Sequence, residues 1–314
     1  MKRGWEILVG VDGSAESDAA VAWAVAEARA RGCGLIVLHA CESRHYGLWT
    51  TTRTLRAGLR EVAQPLVDNA IALAARVDPA VPVRGTVLVA SPTRTLLRLS
   101  TRVPLIVVGR SGRGAISRLL LGSVTRHLMA NASCPVVAVG CPPETDNLGT
   151  FGRVVAAVDT SSGGQQTLRF AFDEARIRNA PVHVVYPLRP VHQPAAEQHV
   201  LAGALIRLQA EYPAVNVTSF SKVDSLAKVL VSACESHDLL VLGHHRRGPF
   251  TPHTLEPDVI DALHAAPCPV AVVHEPSEAT VTASGDVLAS AYKVGQLGAA
   301  PVSSSFAPGG GPSA

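Results

Sequence analysis

The chain has 314 residues, long enough for two domains that each bury a core. With 47% hydrophobic residues, 17% charged residues and a net charge of +3, it is too apolar to be disordered throughout. Its four lysines are scattered and no basic stripe forms, so neither nucleic acid nor an anionic membrane is an expected partner.

Six cysteines stand far apart without a CxxC pair, in a chain too large to need disulfide staples, which suits a reducing cytoplasm. The basic start Met1-Lys2-Arg3-Gly4 leads into an apolar run that Glu6 and Asp12 interrupt, so a cleaved leader is not expected. No uncharged apolar stretch reaches about 18 residues, and no membrane span is expected.

In chain order, apolar runs at 5–11, 35–39, 81–89, 104–108 and 135–139 predict strands. Amphipathic stretches near 16–31, 54–77, 92–101 and 123–132 predict the helices between them. Runs such as Leu105-Ile106-Val107-Val108 stay apolar where an antiparallel strand would alternate, so a parallel sheet covered on both faces is expected. The pattern then repeats. Val11-Asp12-Gly13-Ser14 and Glu27-Ala28-Arg29 recur as Val158-Asp159-Thr160-Ser161 and Glu174-Ala175-Arg176, at an offset of 147. Leu105 to Gly109 and Cys134-Pro135-Val136 recur as Leu239 to Gly243 and Cys268-Pro269-Val270, at an offset of 134. The second copy is therefore thirteen residues shorter between its first and fourth strands, a deletion expected around the polar segment 42–60. The reading is an α/β protein of two doubly wound, mostly parallel five-stranded domains in tandem, over 1–144 and 151–276. The remaining 277–314, rich in Ser, Ala, Gly and Pro, is expected to be a disordered tail.

Ligands of open α/β sheets sit beyond the carboxyl ends of the strands, where strand order reverses. In the first copy, Asp12-Gly13-Ser14 follows the first strand, Gly109-Arg110-Ser111-Gly112 follows the fourth, and Gly122-Ser123-Val124-Thr125 opens a helix. Glycines let the backbone approach a phosphate, and a helix start offers N–H groups and a positive dipole end. These residues point to an anion. A Walker A loop is excluded because no lysine lies between 3 and 221, and the dinucleotide fingerprint fails after the first strand.

Gly109, Gly112, nine further residues, then Gly122-Ser123 match the spacing Gly-2x-Gly-9x-Gly-Ser. With Val9-Gly10-Val11-Asp12-Gly13-Ser14 and Cys134-Pro135-Val136-Val137, the chain resembles the universal stress proteins, as a tandem member of the ATP-binding subclass. The resemblance covers 5–140 strongly and 153–275 weakly, and it implies an adenine nucleotide α-hydrolase-like fold. It implies that Asp12 lies near the ribose and a Mg²⁺ ion, and that the backbone of Ala40, just after the second strand, meets adenine. Gly109, Ser111 and Gly112 would line ribose and phosphates, with Gly10, Val11 and Val108 at the strand ends beside them. Arg113 would pair with phosphate, and Gly122, Ser123, Val124 and Thr125 would cradle the triphosphate. It also implies a last strand at each sheet edge, so the two copies are expected to pair through their last strands, and a homodimer is possible by the same route. One local departure is Ala90-Ser91-Pro92, where the family often has a Gly-x-Pro turn. In the second copy Gly112, Gly122 and Ser123 become Arg246, Glu256 and Pro257, so one nucleotide per chain is expected.

The same residues have plainer readings. Asp12 suits a helix cap, Gly122-Ser123 an ordinary turn and cap, and Arg113 a solvated loop. His244, His245, His253, His264 and His274 near Cys268 lack the spacing of a metal site. Cys134, Cys268, Trp23, Leu35 and Val37 read as core. The expectation is a cytoplasmic ATP-binding regulator of stress response, growth or dormancy, with at most slow hydrolysis. The competing readings are an enzyme of a related α/β nucleotide-hydrolase or flavoprotein-like fold, and a structural pairing module without nucleotide.

Overall fold

Strand and helix alternate within each half of the computed structural model, which describes residues 5–42, 53–112, 121–140, 152–158, 162–187, 195–222, 226–236, 238–244 and 255–274. The first half runs β1 (Glu6–Gly10), α1 (Ala15–Arg31), β2 (Gly34–Cys41), α2 (Arg53–Val77), β3 (Val83–Val89), α3 (Pro92–Leu99), β4 (Ile106–Gly109), α4 (Ser123–Asn131) and β5 (Val136–Val139). The second half follows as β6 (Val154–Ala157), α5 (Ser162–Arg178), β7 (Val182–Pro187), α6 (Ala195–Glu211), β8 (Val217–Lys222), α7 (Leu226–Ala233), β9 (Leu239–His244), α8 (Pro257–Ala265) and β10 (Val270–His274). Arg113, the joining segment 141–151 and the proposed tail 277–314 lie outside the described residues.

Local chemistry sets the helix ends. Ser14 caps α1 by accepting from the Ser17 N–H, and Gly32 closes that helix in the left-handed region at φ 63°. Asn179, its counterpart after α5, takes the same turn at φ 53°, a conformation asparagine tolerates better than most side chains.

The strands form one ten-stranded sheet in the order β3-β2-β1-β4-β5-β10-β9-β6-β7-β8. Every neighbouring pair is parallel except β5 and β10, which run antiparallel with Val270 opposite Ala138 and Val272 opposite Val136. Successive side chains point to opposite faces, and both faces are apolar. Ile7, Val9, Leu35, Val37 and Val107 join a core with residues of α1, α2, α5 and α6, while Leu8, Ile36, Ile106 and Val136 join a second core with α3, α4, α7 and α8. Trp23, Cys134 and Cys268 are buried in these layers. No helix among the described residues is long and apolar enough to cross a membrane.

The register localises the length difference between the halves. Leu35 pairs with Val83 in one half and Val182 with Val217 in the other, so the thirteen missing residues lie between the second and third strands. Most of them come from the helix, since α6 has 17 residues where α2 has 25.

Where the halves meet, α1 and α5 cross with a closed ring of charge. Glu27 and Glu174 each receive both Arg31 and Arg178, and both carboxylates and Arg178 are fully or almost fully buried. The Arg178 guanidinium also lies 5.5 Å from the centre of the Trp23 ring.

Candidate functional site

Strand β1 lies between β2 and β4, so the chain moves to one side of β1 and then crosses to the other. That reversal opens a crevice beyond Gly10 and Gly109, the last residues of β1 and β4. Three loops converge there.

After β1, Asp12 folds an Asx turn: its Oδ1 accepts from the Ser14 N–H at 3.0 Å and from the Ser14 hydroxyl at 2.6 Å. Gly13, at φ 78°, supplies the left-handed residue this turn needs. The other carboxylate oxygen faces Gly112, where a Cβ would stand only 2.5 Å from it. Gly109 is as tightly held, with its own absent Cβ 3.0 Å from the backbone of Glu16. Gly109 is therefore held by close approach of backbone, with or without a ligand, whereas a side chain at Gly112 would displace the Asp12 carboxylate.

Helix α4 points its N-terminus into the same crevice. Its N-cap is Gly122, with Ser123 as the first helical residue, and no side chain caps the helix. The Gly122 N–H donates to the Arg110 carbonyl at 2.9 Å, which leaves the first turn to present N–H groups that have no partner within the helix. Among the described residues a Cβ on Gly122 would meet nothing nearer than 3.6 Å, and its φ of −61° and ψ of 146° suit any residue. Neither their crowding nor its conformation requires glycine here.

Other expected contacts are already committed within the protein. The Thr125 hydroxyl donates to the Gly109 carbonyl at 2.8 Å and so ties α4 to β4. Ser111 is buried with its hydroxyl on Glu16, and Val124 leans on the core. The Val11 N–H donates to Leu38, its carbonyl accepts from His39 Nδ1 at 2.7 Å, and its side chain is buried. The side chain of Val108 packs over Gly10. Ala40 lies inside β2, one residue before its end, rather than just after it. The structure thus brings Asp12, Gly109, Ser111, Gly112, Gly122 and Thr125 together, with Ala40 on the strand next to β1 and Arg113 outside the described residues.

Three residues with a part in this geometry had no signal in the spacing. His39 holds the exit of β1, and because a carbonyl only accepts, Nδ1 carries its proton. Glu16 anchors Ser111. Arg110 sends its guanidinium away from the crevice to the carbonyls of Ala266 and Cys268, at 2.9 and 2.8 Å. A charged residue inside a glycine motif was the available clue to Arg110, but its direction was not.

A family model described as the universal stress protein family matches residues 6–140 and again residues 150–274. The chain belongs to the universal stress protein family. It is 32% identical over 286 residues to Universal stress protein Rv2005c of Mycobacterium tuberculosis, spanning 86% of this chain and 97% of that protein. Universal stress protein Rv2623 of the same organism is 31% identical over 263 residues, spanning 78% and 88%. In fold, the chain is similar to a universal stress protein from Archaeoglobus fulgidus DSM 4304, with a TM-score of 0.67 at 16% identity over 87% of this chain and 97% of that one.

This universal stress protein is unequal in its two halves. Helix α8 starts at an N-cap with φ −64° and ψ 145°, nearly the dihedrals of Gly122, but the residue there is Glu256 and Pro257 follows it. The second half thus puts a carboxylate where the first half has a glycine, and a residue without an N–H where the first half has Ser123. Of the motif glycines, Gly243 remains in β9. His244 and His274 stack edge to face with ring centres 5.9 Å apart, and no group of three metal-ligating side chains occurs among the described residues.

Proposed function

We propose that this universal stress protein binds one ATP per chain in the first-half crevice and acts through that bound state as a regulator of stress response, growth or dormancy. The observation that carries the reading is the contrast between two N-caps of the same conformation. No described residue crowds a Cβ at Gly122 and its conformation suits any residue, whereas a side chain there would enter the space an anion would take at the α4 N-terminus. The residues fit a magnesium nucleotide. Backbone N–H groups of α4 would hold the phosphates, Asp12 beside Gly112 would take the cation, and Ala40 would lie beneath the base. Bound Mg²⁺ neutralises phosphate charge that would otherwise face the Asp12 carboxylate.

A structural role has its own support, since β5 pairs with β10 and the Glu27–Arg178 ring closes the same junction. Calorimetric titration of the full chain with ATP and Mg²⁺, with mass spectrometry of anything released on denaturation, separates the readings. Binding near one equivalent, or co-purified adenine nucleotide, supports the regulator. A chain that releases nothing and binds nothing is a pairing module, and flavin bands in the spectrum would overturn both.

A further inference from the structure

We propose that Arg110 couples the first-half nucleotide site to the second half, making the second half the positioning support of the phosphate cradle; this rests on the nucleotide reading above.

Arg110 occupies a junction. Its backbone carbonyl accepts from Gly122, the N-cap of α4, and its backbone N–H donates to Val139 of β5 at 2.8 Å. The side chain crosses to the carbonyls of Ala266 and Cys268, in the connection between α8 and β10. One residue therefore touches the cradle, the last strand of its own half and the facing strand connection of the other half. A second link runs beside it: the Leu121 N–H, one residue before the N-cap, donates to His264 Nε2 on α8 at 3.3 Å.

The Arg110 guanidinium, although turned away from the crevice, adds an unbalanced positive charge behind it. Burial holds the Arg110 guanidinium below its usual range, and among the described residues no carboxylate pairs with it. It stays charged, because a guanidinium does not lose its proton in a protein. Neutral carbonyls accept from Nη1 and Nη2, the buried Nε–H has no partner among the described residues, and none of this balances the charge. A triphosphate at the neighbouring helix start would supply the opposite charge at low effective dielectric.

The repeat adds an independent observation. The counterparts of Arg110 and Gly140 in the second half are His244 and His274. Gly140 leaves room for the Arg110 side chain, since a Cβ there would stand 3.3 Å from its guanidinium carbon. In the second half that space is filled by the His274 ring, stacked on His244, and His274 Nε2 bonds to the Met129 carbonyl of α4. Both positions differ together, so the arginine bridge runs one way only, from the half with the open N-cap into the half whose N-cap is Glu256.

Linkage makes the consequence reciprocal. If the Ala266–Cys268 carbonyls hold Arg110, and Arg110 holds Gly122, then nucleotide binding must stabilise the α8–β10 connection as much as that connection favours nucleotide. The test is hydrogen exchange on the full chain with and without ATP and Mg²⁺, on the parent, Arg110→Met, Arg110→Lys and His264→Leu, with affinities from calorimetry. In the parent, ATP should slow exchange in 121–126 and also in 259–268. In Arg110→Met, affinity should fall by a factor of about 5 to 150, the usual size of coupling between sites. At saturating ATP that variant should keep protection at 121–126 and lose it at 259–268, a split that general loss of stability would not produce. Arg110→Lys, which can still reach one carbonyl, should recover part of both. Should Arg110→Met fail to fold, the lysine variant and His264→Leu, expected to weaken the ATP effect at 259–268, carry the same comparison. Protection confined to 121–126 in the parent, or an unaltered pattern in the variants, overturns the coupling and leaves the nucleotide reading standing. A parent that binds no ATP overturns both.

Discussion

Gly122 and Glu256 hold one backbone conformation with opposite chemical outcomes, which makes the substitution between them informative. Gly122→Glu places a side chain whose Cβ has no described residue closer than 3.6 Å, so melting should change by less than about 2 °C, as for a surface substitution. ATP binding should be lost, because a carboxylate then opposes the phosphates at the helix start; calorimetric titration checks it. Gly112→Ala is a different kind of change. Its Cβ would meet Asp12 Oδ2 at 2.5 Å, so the carboxylate must swing away, and binding of ATP with Mg²⁺ should weaken more than binding of ATP alone. Cys134 offers a residue-scale control. Complete burial pushes its thiol well above the ordinary range, so iodoacetamide at pH 8 should leave it unmodified until the chain is unfolded, as peptide mass mapping would show. The glycine spacing made the cradle legible because Gly109 lies against the Glu16 backbone and Gly122 leaves a helix N-terminus without a side chain. The partners of Thr125, Ser111 and Val11 were not legible, since hydroxyls and carbonyls take whatever packing brings near.

At the scale of elements, the strand and helix order was readable from apolar runs, and the length difference was readable from two offsets. Its place was readable too: α2 and α6 end at Val77 and Glu211, equally far before Val83 and Val217, so the residues by which α2 is longer are 53–60, inside the polar segment 42–60. Helix length on a surface is loosely constrained, since α2 overhangs where α6 stops. The charged ring between α1 and α5 left a faint signature, a Glu–Arg pair four residues apart recurring as Glu27/Arg31 and Glu174/Arg178. Read alone, each is an exposed helix pair worth a few tenths of a kcal/mol. Buried, the balance is different. Arg178→Met should cost about 3–5 kcal/mol, because Glu27 and Glu174 would remain buried with Arg31 alone between them. Replacing all four residues by apolar ones of similar volume should restore most of that loss. Urea unfolding of the two variants checks both expectations, and equal destabilisation would mean the ring is held by packing and not by charge.

For the whole molecule, the unbroken sheet and the unequal crevices lead to separate expectations. ATP with Mg²⁺ should stabilise the chain through one site, by about 2.7 kcal/mol at 100 times its Kd. A stoichiometry of two would show that Glu256 and Pro257 do not close the second crevice. Cutting the chain into 1–146 and 150–276 would expose β5 and β10 as apolar edges, so the mixed halves should associate through the strands that pair in the intact protein. Sedimentation of each half and of the mixture tests this. Two soluble monomers that ignore each other would mean the short covalent link, with its high effective concentration, holds the junction together.

The sequence by itself determined the repeat, the α/β alternation, the parallel character of the strands and the place of the glycine motif at strand ends. These follow from periodicity and from local steric rules that act over a few residues. Only the tertiary structure decided that β5 and β10 run antiparallel with Val270 opposite Ala138, that Glu27 and Glu174 are buried with shared arginines, and that Arg110 turns from the crevice to carbonyls more than 150 residues away. Those contacts depend on the direction each side chain takes once both sheet faces are covered. No short-range pattern encodes that direction, because the partners meet only when the two halves have folded against each other.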